Sequence, residues 1–215
     1  MLAYFSSHFM DLLRALVEHA ELSATALFLA SLLALPLGHL LAARAGKLSD
    51  TVLAALGLLY SIPSMALLVF LVPVFGLGNV SAVIALVLYA QFVLVRSVVL
   101  GFRGVDPNVR EAAKGMGLNP AQLLLRVELP LALPTLIGGL RIAASSVIGI
   151  ATIAAWINAG GLGSLLFEGI YQNHIPKILW GVVLISGFAL LIELALLDIE
   201  KHALLESRGQ GVFAS

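Results

Sequence analysis

Five apolar runs, roughly Ser23–Ala43, Thr51–Phe75, Val80–Leu100, Thr135–Ile157 and Ile178–Leu197, dominate this chain. Each is close to the roughly 20 apolar residues that carry a helix across about 30 Å of hydrocarbon. Inside hydrocarbon every backbone N–H and C=O must be satisfied within the protein, so such runs fold as helices. Composition agrees: 60% of the 215 residues are hydrophobic and 11% charged, against about a quarter charged in soluble domains. The expected fold class is an all-α polytopic membrane protein with about five transmembrane helices. Residues 1–22 form a lead-in, residues 23–200 the membrane domain, and residues 201–215 a polar tail. Between Phe5 and Val17 the apolar residues Phe5, Phe9, Leu12, Leu13 and Leu16 recur at helical spacing. That pattern suits either an amphipathic helix at the interface or a helical lead-in to the first span.

Several function classes fall away. Net charge is zero, so bulk electrostatics points to neither nucleic acid nor an acidic substrate. With no cysteine there is no disulfide, thiolate metal site or cysteine nucleophile. His8, His19, His39, His174 and His202 are isolated, so no metal site is expected. Paired catalytic carboxylates and a Gly-x-Ser-x-Gly elbow are missing, and no catalytic residue is expected. Arg44-Ala-Gly-Lys47-Leu-Ser49 lacks the upstream glycine and the Ser or Thr after lysine that a phosphate-binding loop needs. The first turns hold Asp11, Arg14, Glu18 and Glu21, unlike a cleaved signal peptide.

Lys and Arg orient the spans. One side collects Arg44, Lys47, Arg103, Arg110, Lys114, Arg126, Lys201 and Arg208; the other holds Arg14 and Lys177. The richer side should be cytoplasmic, with the N terminus outside and the C terminus inside. Arg96, Arg141 and Glu193 fall within apolar runs near predicted cytoplasmic ends, where snorkelling or pairing is their simplest role.

The polar segment of about residues 103–130 follows the third span. Asp106-Pro107 reads as an N-cap with proline at the first helical position, and Gly115 and Gly117 as the end of that helix. Asn119-Pro120-Ala121-Gln122 repeats the start signal as a capping box. A second helix, about Pro120–Val127, then leads into Leu129-Pro130, with Pro130 and Pro134 bending the chain into the fourth span. The result is a helix, a glycine turn and a helix lying across the cytoplasmic ends of the spans.

Within it, Glu111-Ala112-Ala113, three residues, Gly117, nine residues, Val127, one residue and Leu129-Pro130 resemble the cytoplasmic coupling loop of ABC importer permeases. The one departure is Val127, where that pattern has Ile. The resemblance implies a MetI-like permease fold whose loop docks on a separate ATPase. Glu111 would make polar contacts at that joint, Ala112 and Ala113 would allow close packing, and Gly117 would make the turn. ATP and magnesium would be held by the partner, with no cofactor in this chain. Partners would be cytoplasmic ATPase subunits, a second permease chain (identical or paralogous) and an extracytoplasmic solute-binding protein, all at a bacterial inner membrane.

Ser61-Ile-Pro63-Ser64, Phe75-Gly-Leu-Gly78 and Ala159-Gly160-Gly161-Leu-Gly163 look like the osmoprotectant branch, importers of glycine betaine, choline and carnitine. Methionine-type permeases share versions of the last segment, so amino-acid import is the alternative, with a non-transporting membrane scaffold behind it. Candidates for a translocation path are Ser61, Ser64, Gln91, Ser145, Ser146, Thr152, Trp156 and Asn158; the polar ones, taken singly, are more often packing or glue between helices. Quaternary ammonium groups favour aromatic faces, and Tyr60, Tyr89, Phe92, Trp156 and Tyr171 are available, although interfacial belts use the same residues. Ser145/Gly149 and Ala151/Ala155 put small residues four apart on the fourth span, a spacing that admits a neighbouring helix.

Overall fold

A computed structural model describes residues 2–44 and 46–207, and among these the chain is helical with no strand. The helices are α1 (Leu2–Ser7), α2 (Phe9–Ala43), α3 (Lys47–Tyr60), α4 (Ser64–Phe75), α5 (Asn79–Arg103), α6 (Pro107–Gly115), α7 (Pro120–Leu123), α8 (Leu129–Ala154), α9 (Leu162–Tyr171) and α10 (Ile175–Ser207). A π-helical turn, Leu124–Glu128, joins α7 to α8. Four helical stretches are long and apolar enough to cross a membrane, or five when α3 and α4 count as one broken span.

That pair covers the expected second span over Thr51–Phe75, which is broken at Pro63. The chain turns by 92° between α3 and α4. Pro63 brings no N–H and disfavours helical geometry at Ile62. Ser61 Oγ instead donates to Leu58 O at 2.7 Å, and the Tyr89 hydroxyl of α5 donates to Ile62 O. The backbone at the break is thus bonded both locally and to α5.

The start of the fourth span is continuous helix: the chain runs from Pro120 to Ile157, through Pro130 and Pro134, as one apolar helical stretch of 38 residues. The π turn absorbs the conflict. Leu129 N–H reaches back five residues to Leu124 O, and Pro130 follows in the first turn of α8, where it has no donor to place. α10 is helical through Ser207. Arg208 lies outside the described residues.

Packing depends on small residues. Ala26, Ala30 and Ala34 repeat every four residues along α2 and are essentially unexposed, with Ala82, Ala85 and Ala90 of α5 in the same core. Methyl-sized side chains let helix backbones approach closely, which matters in lipid because dispersion contacts replace hydrophobic driving force. Ala151 and Ala154 of α8 join this core, whereas Ser145 and Gly149 face outward.

Contacts between elements sort the loops to opposite ends. Arg103 Nη2 donates to Leu41 O at 3.0 Å and Ser49 Oγ at 2.8 Å, gathering the ends of α2, α3 and α5 on the cation-rich side. At the other end Gly78 N–H donates to Ile157 O at 2.7 Å. There, too, Gly161 N–H donates to Glu18 Oε2 at 3.2 Å. The broken α3–α4 pair thus connects the two ends. The continuous α2 makes the residues before Ser23 the first turns of the span helix. Phe5 of α1 rests on Trp180 of α10, ring centroids 4.6 Å apart.

Candidate functional site

The loop between α5 and α8 is built from local signals. Asp106 accepts from Asn108 N–H at 2.8 Å, and Pro107 begins α6. At the other end of α6, Gly117 N–H donates to Lys114 O at 2.9 Å and Leu118 N–H to Ala113 O at 3.3 Å. This pair of bonds is a Schellman cap, which places its glycine in the left-handed region; Gly117 has φ 84°. Asn119 and Gln122 then exchange side-chain and backbone bonds at 2.9 and 3.0 Å as a capping box.

The residues of the motif divide by exposure. Ala113 is buried at 2%, and Leu129 packs on the cluster of Val98, Phe102 and Ala132. Val127 is half-buried, while Pro130 is exposed. Glu111 and Ala112 face outward beside Val109 and Met116, and Met116 is 74% exposed. The loop therefore offers a low apolar ridge edged by one carboxylate. Holding it in place is an ion pair that the sequence reading missed: Arg110 Nε lies 2.7 Å from Glu128 Oε1, with side chains 28% and 14% exposed. Arg110 also donates to Phe102 O at the end of α5. Both charges stood in the sequence, but 18 residues apart with no periodic pattern to link them.

The path candidates do not converge on one point. Ser61 and Ser64 sit at the α3–α4 break. Gln91 is 7% exposed and donates from Nε2 to Ala30 O at 3.0 Å, a joint between α5 and α2. Ser146 donates to Ile142 O and Thr152 to Ile148 O, both back along α8. Ser145 faces outward and reaches Glu193 Oε2 at 3.4 Å. Glu193 is in turn 2.8 Å from Arg141, which also pairs with Glu200. Arg141 and Glu193 are thus paired across α8 and α10. Arg96 lies over the Phe92 ring, 5.8 Å from its centroid.

At the opposite end Asn158 adopts φ 63° and lines an open cleft of about 450 Å³ with Glu18, Glu21, Asn79 and Gly160. The glycine-rich turn there is tightly constrained. A Cβ on Gly163 would stand 2.0 Å from Thr152 O, so α9 can lie against the end of α8 only without a side chain at that position. The aromatic candidates separate into two groups. Tyr60 meets Tyr89 and Phe92 at 5.7 and 5.2 Å beside the α3–α4 break. Trp156 instead meets Phe167 at 5.3 Å, with Tyr171 nearby.

Comparison with known proteins fits this arrangement. Residues 34–204 match the family described as binding-protein-dependent transport system inner membrane component. The carnitine transport permease protein OpuCB of Listeria monocytogenes is 36% identical over 200 residues, covering 93% of this chain and 91% of that protein. The choline transport system permease protein OpuBB of Bacillus subtilis is 36% identical over 191 residues, 89% and 88% of the two chains. Among solved structures, a chain of the inward-facing MetNI methionine ABC transporter superposes with TM-score 0.81 at 26% identity, covering 92% of this chain and 98% of that one. With its apolar spans, this chain is a multi-pass membrane protein and belongs to the family of binding-protein-dependent transport system inner membrane components.

Proposed function

We propose that this chain is the membrane-spanning subunit of an ATP-driven importer of quaternary ammonium osmoprotectants of the glycine betaine, choline and carnitine type. The loop of Glu111, Ala112, Ala113, Gly117, Val127, Leu129 and Pro130 is the joint to the ATPase. The observation that carries the reading is the shape of that loop: a capped helix and a Schellman turn at the cation-rich end, clamped by Arg110 and Glu128. It presents Ala112 and Met116 outward. A flat apolar ridge with a carboxylate at its edge suits a groove on another protein, because small side chains let the two backbones approach closely.

On this reading the cation-rich end is cytoplasmic, the N terminus is outside and the C terminus inside. ATP and magnesium belong to the ATPase subunits. A second permease chain, identical or paralogous, completes the path, and the outward face of α8 with Ser145 and Gly149 lies towards it. An external solute-binding protein delivers cargo near the Asn158–Lys177 connection. The cargo assignment is supported by the relatives named for carnitine and choline transport. The likeness to a methionine transporter supports amino-acid import as the second reading.

The test is co-purification with an ATPase subunit, followed by hydrolysis assays in proteoliposomes with the binding protein present. Stimulation by glycine betaine, choline or carnitine is expected. Stimulation by methionine alone would select the second reading, and failure to associate with any ATPase would leave a scaffold role. Cytoplasmic labelling of residues 160–175 would overturn the orientation.

A further inference from the structure

We infer that Trp156, Phe167 and Tyr171 form a cation-binding corner on the permease itself, a transfer site for the quaternary ammonium headgroup at the outer end of α8 and α9. The inference rests on the proposed substrate class and adds a place where this chain touches it.

Trp156 and Phe167 stand at 70° to one another with centroids 5.3 Å apart, so they make two walls of a corner rather than a stack. Their cleft, about 420 Å³, is completed by Ala155, Glu168, Ile170 and Tyr171. Trp156 is 61% exposed and Tyr171 93% exposed, so ring surface is open to a ligand. A quaternary ammonium ion has no N–H to donate, and aromatic faces attract it through their quadrupoles. The lip adds charge complementarity. Glu168 pairs through Oε2 with Lys177, but the lysine side chain is 14% exposed and the glutamate 58%. The carboxylate therefore faces outward while its counter-charge is sunk behind it. Near neighbours strengthen the placement: Trp156 stands two residues before the turn at Asn158, and Phe167 and Tyr171 sit on the short helix held there by Gly163.

Two tryptophans, Trp156 and Trp180, occur in the chain. In a Trp180→Phe background, with the intact transporter labelled by 5-fluorotryptophan in lipid nanodiscs, the Trp156 fluorine signal is identified by its loss in Trp156→Phe. Choline and its neutral isostere 3,3-dimethyl-1-butanol are then titrated without the binding protein. Choline should shift the Trp156 signal saturably and the isostere should not. Tyr171→Leu should weaken the response roughly two- to fivefold, as expected for one exposed ring face, and Glu168→Gln should weaken it for choline alone. In uptake, Trp156→Phe should retain more choline transport than Trp156→Leu. An equal response to both probes would make the cleft merely apolar, and no response to choline in a transporter that imports choline would make these rings an interfacial belt. Either result overturns the site and leaves the proposed function standing. If the transporter imports no quaternary amine, the functional reading itself has failed, and the site with it.

Discussion

Replacing Gly117 separates backbone geometry from bulk in the loop proposed to meet the ATPase. Gly117 has φ 84°, and nothing lies within 4 Å of a Cβ built there. A substituted side chain therefore meets no neighbour, and its whole cost is conformational. An L-residue other than Asn or Asp pays about 1–2 kcal/mol to hold the left-handed conformation, and a β-branched residue pays more. Asn, which visits this region most readily, should cost a few tenths. Because 1.4 kcal/mol is about a factor of ten, Gly117→Ala should raise the opening of the cap roughly 5- to 30-fold. Gly117→Val should raise it further, and Gly117→Asn should stay near wild type. Hydrogen exchange at the amides of Met116, Gly117 and Leu118 reads this opening directly, since these donors close the turn. ATP hydrolysed per solute imported reads its consequence, and should rise in the same order: Asn, Ala, Val. A Val variant with wild-type exchange would refute the geometric argument. Normal coupling in a variant whose cap has demonstrably frayed would refute the mechanical one.

Other substitutions address the rest of the frame. The Arg110–Glu128 pair is neither fully exposed nor fully buried, so a double-mutant cycle with Arg110→Gln and Glu128→Gln should give a coupling energy of about 1–2 kcal/mol, between the surface and buried limits. Thermal unfolding in detergent measures it, and a coupling near zero would remove the pair from the clamp. Tyr89→Phe removes the donor to Ile62 O at the α3–α4 break and should cost about 0.5–1.5 kcal/mol in the same assay, with uptake falling more than stability if the break moves during transport. Gly163→Ala forces a methyl into Thr152 O; overpacking costs about 1–3 kcal/mol or more, and the yield of monodisperse protein should fall accordingly. An unchanged yield and melting temperature would mean that α9 is free to shift.

The loop between α5 and α8 was legible in the sequence because its determinants are local. Asp106, Pro107, Gly117, Asn119 and Gln122 act within four residues of themselves, and each forms the cap that its type and spacing forecast. The break at Pro63 was only half legible. Proline marked the place, but the size of the turn depends on a hydroxyl from Tyr89, 27 residues away from Ile62. The π turn was invisible for a related reason: Pro130 and Pro134 argue for a bend, while the helix is kept continuous by a widened turn and by Glu128 pairing across to α6. Polar residues within apolar runs resisted assignment altogether. Gln91 and Ser145 look alike in sequence, yet one is buried on Ala30 and the other faces outward. Hydropathy reports that a helix is in lipid but not which side of it meets protein.

The continuity of α7, the π turn and α8 bears on how force would travel if the loop docks on an ATPase as proposed. A break at Pro130 would have let the loop move while the spans stood still. Instead one helical stretch of 38 residues, about 57 Å at 1.5 Å per residue, links the capping box at Asn119 to the turn beyond Trp156. Its outward face carries Thr135, Ile142, Ser145, Gly149 and Trp156, spaced by three to seven residues along one side. Small displacements at the loop end would then be imposed on that whole face and on the turn held by Gly163. The π turn lies between the loop and the face. Stiffening it should show whether the widened turn is needed: deleting one residue from 124–128 would remove the extra residue it accommodates and restore α-helical hydrogen bonding, leaving the faces of the loop and α8 nearly in register and shortening the link by about 1.5 Å. Transport should be lost with the spans still folded. Retained transport would mean that the widened turn is not needed.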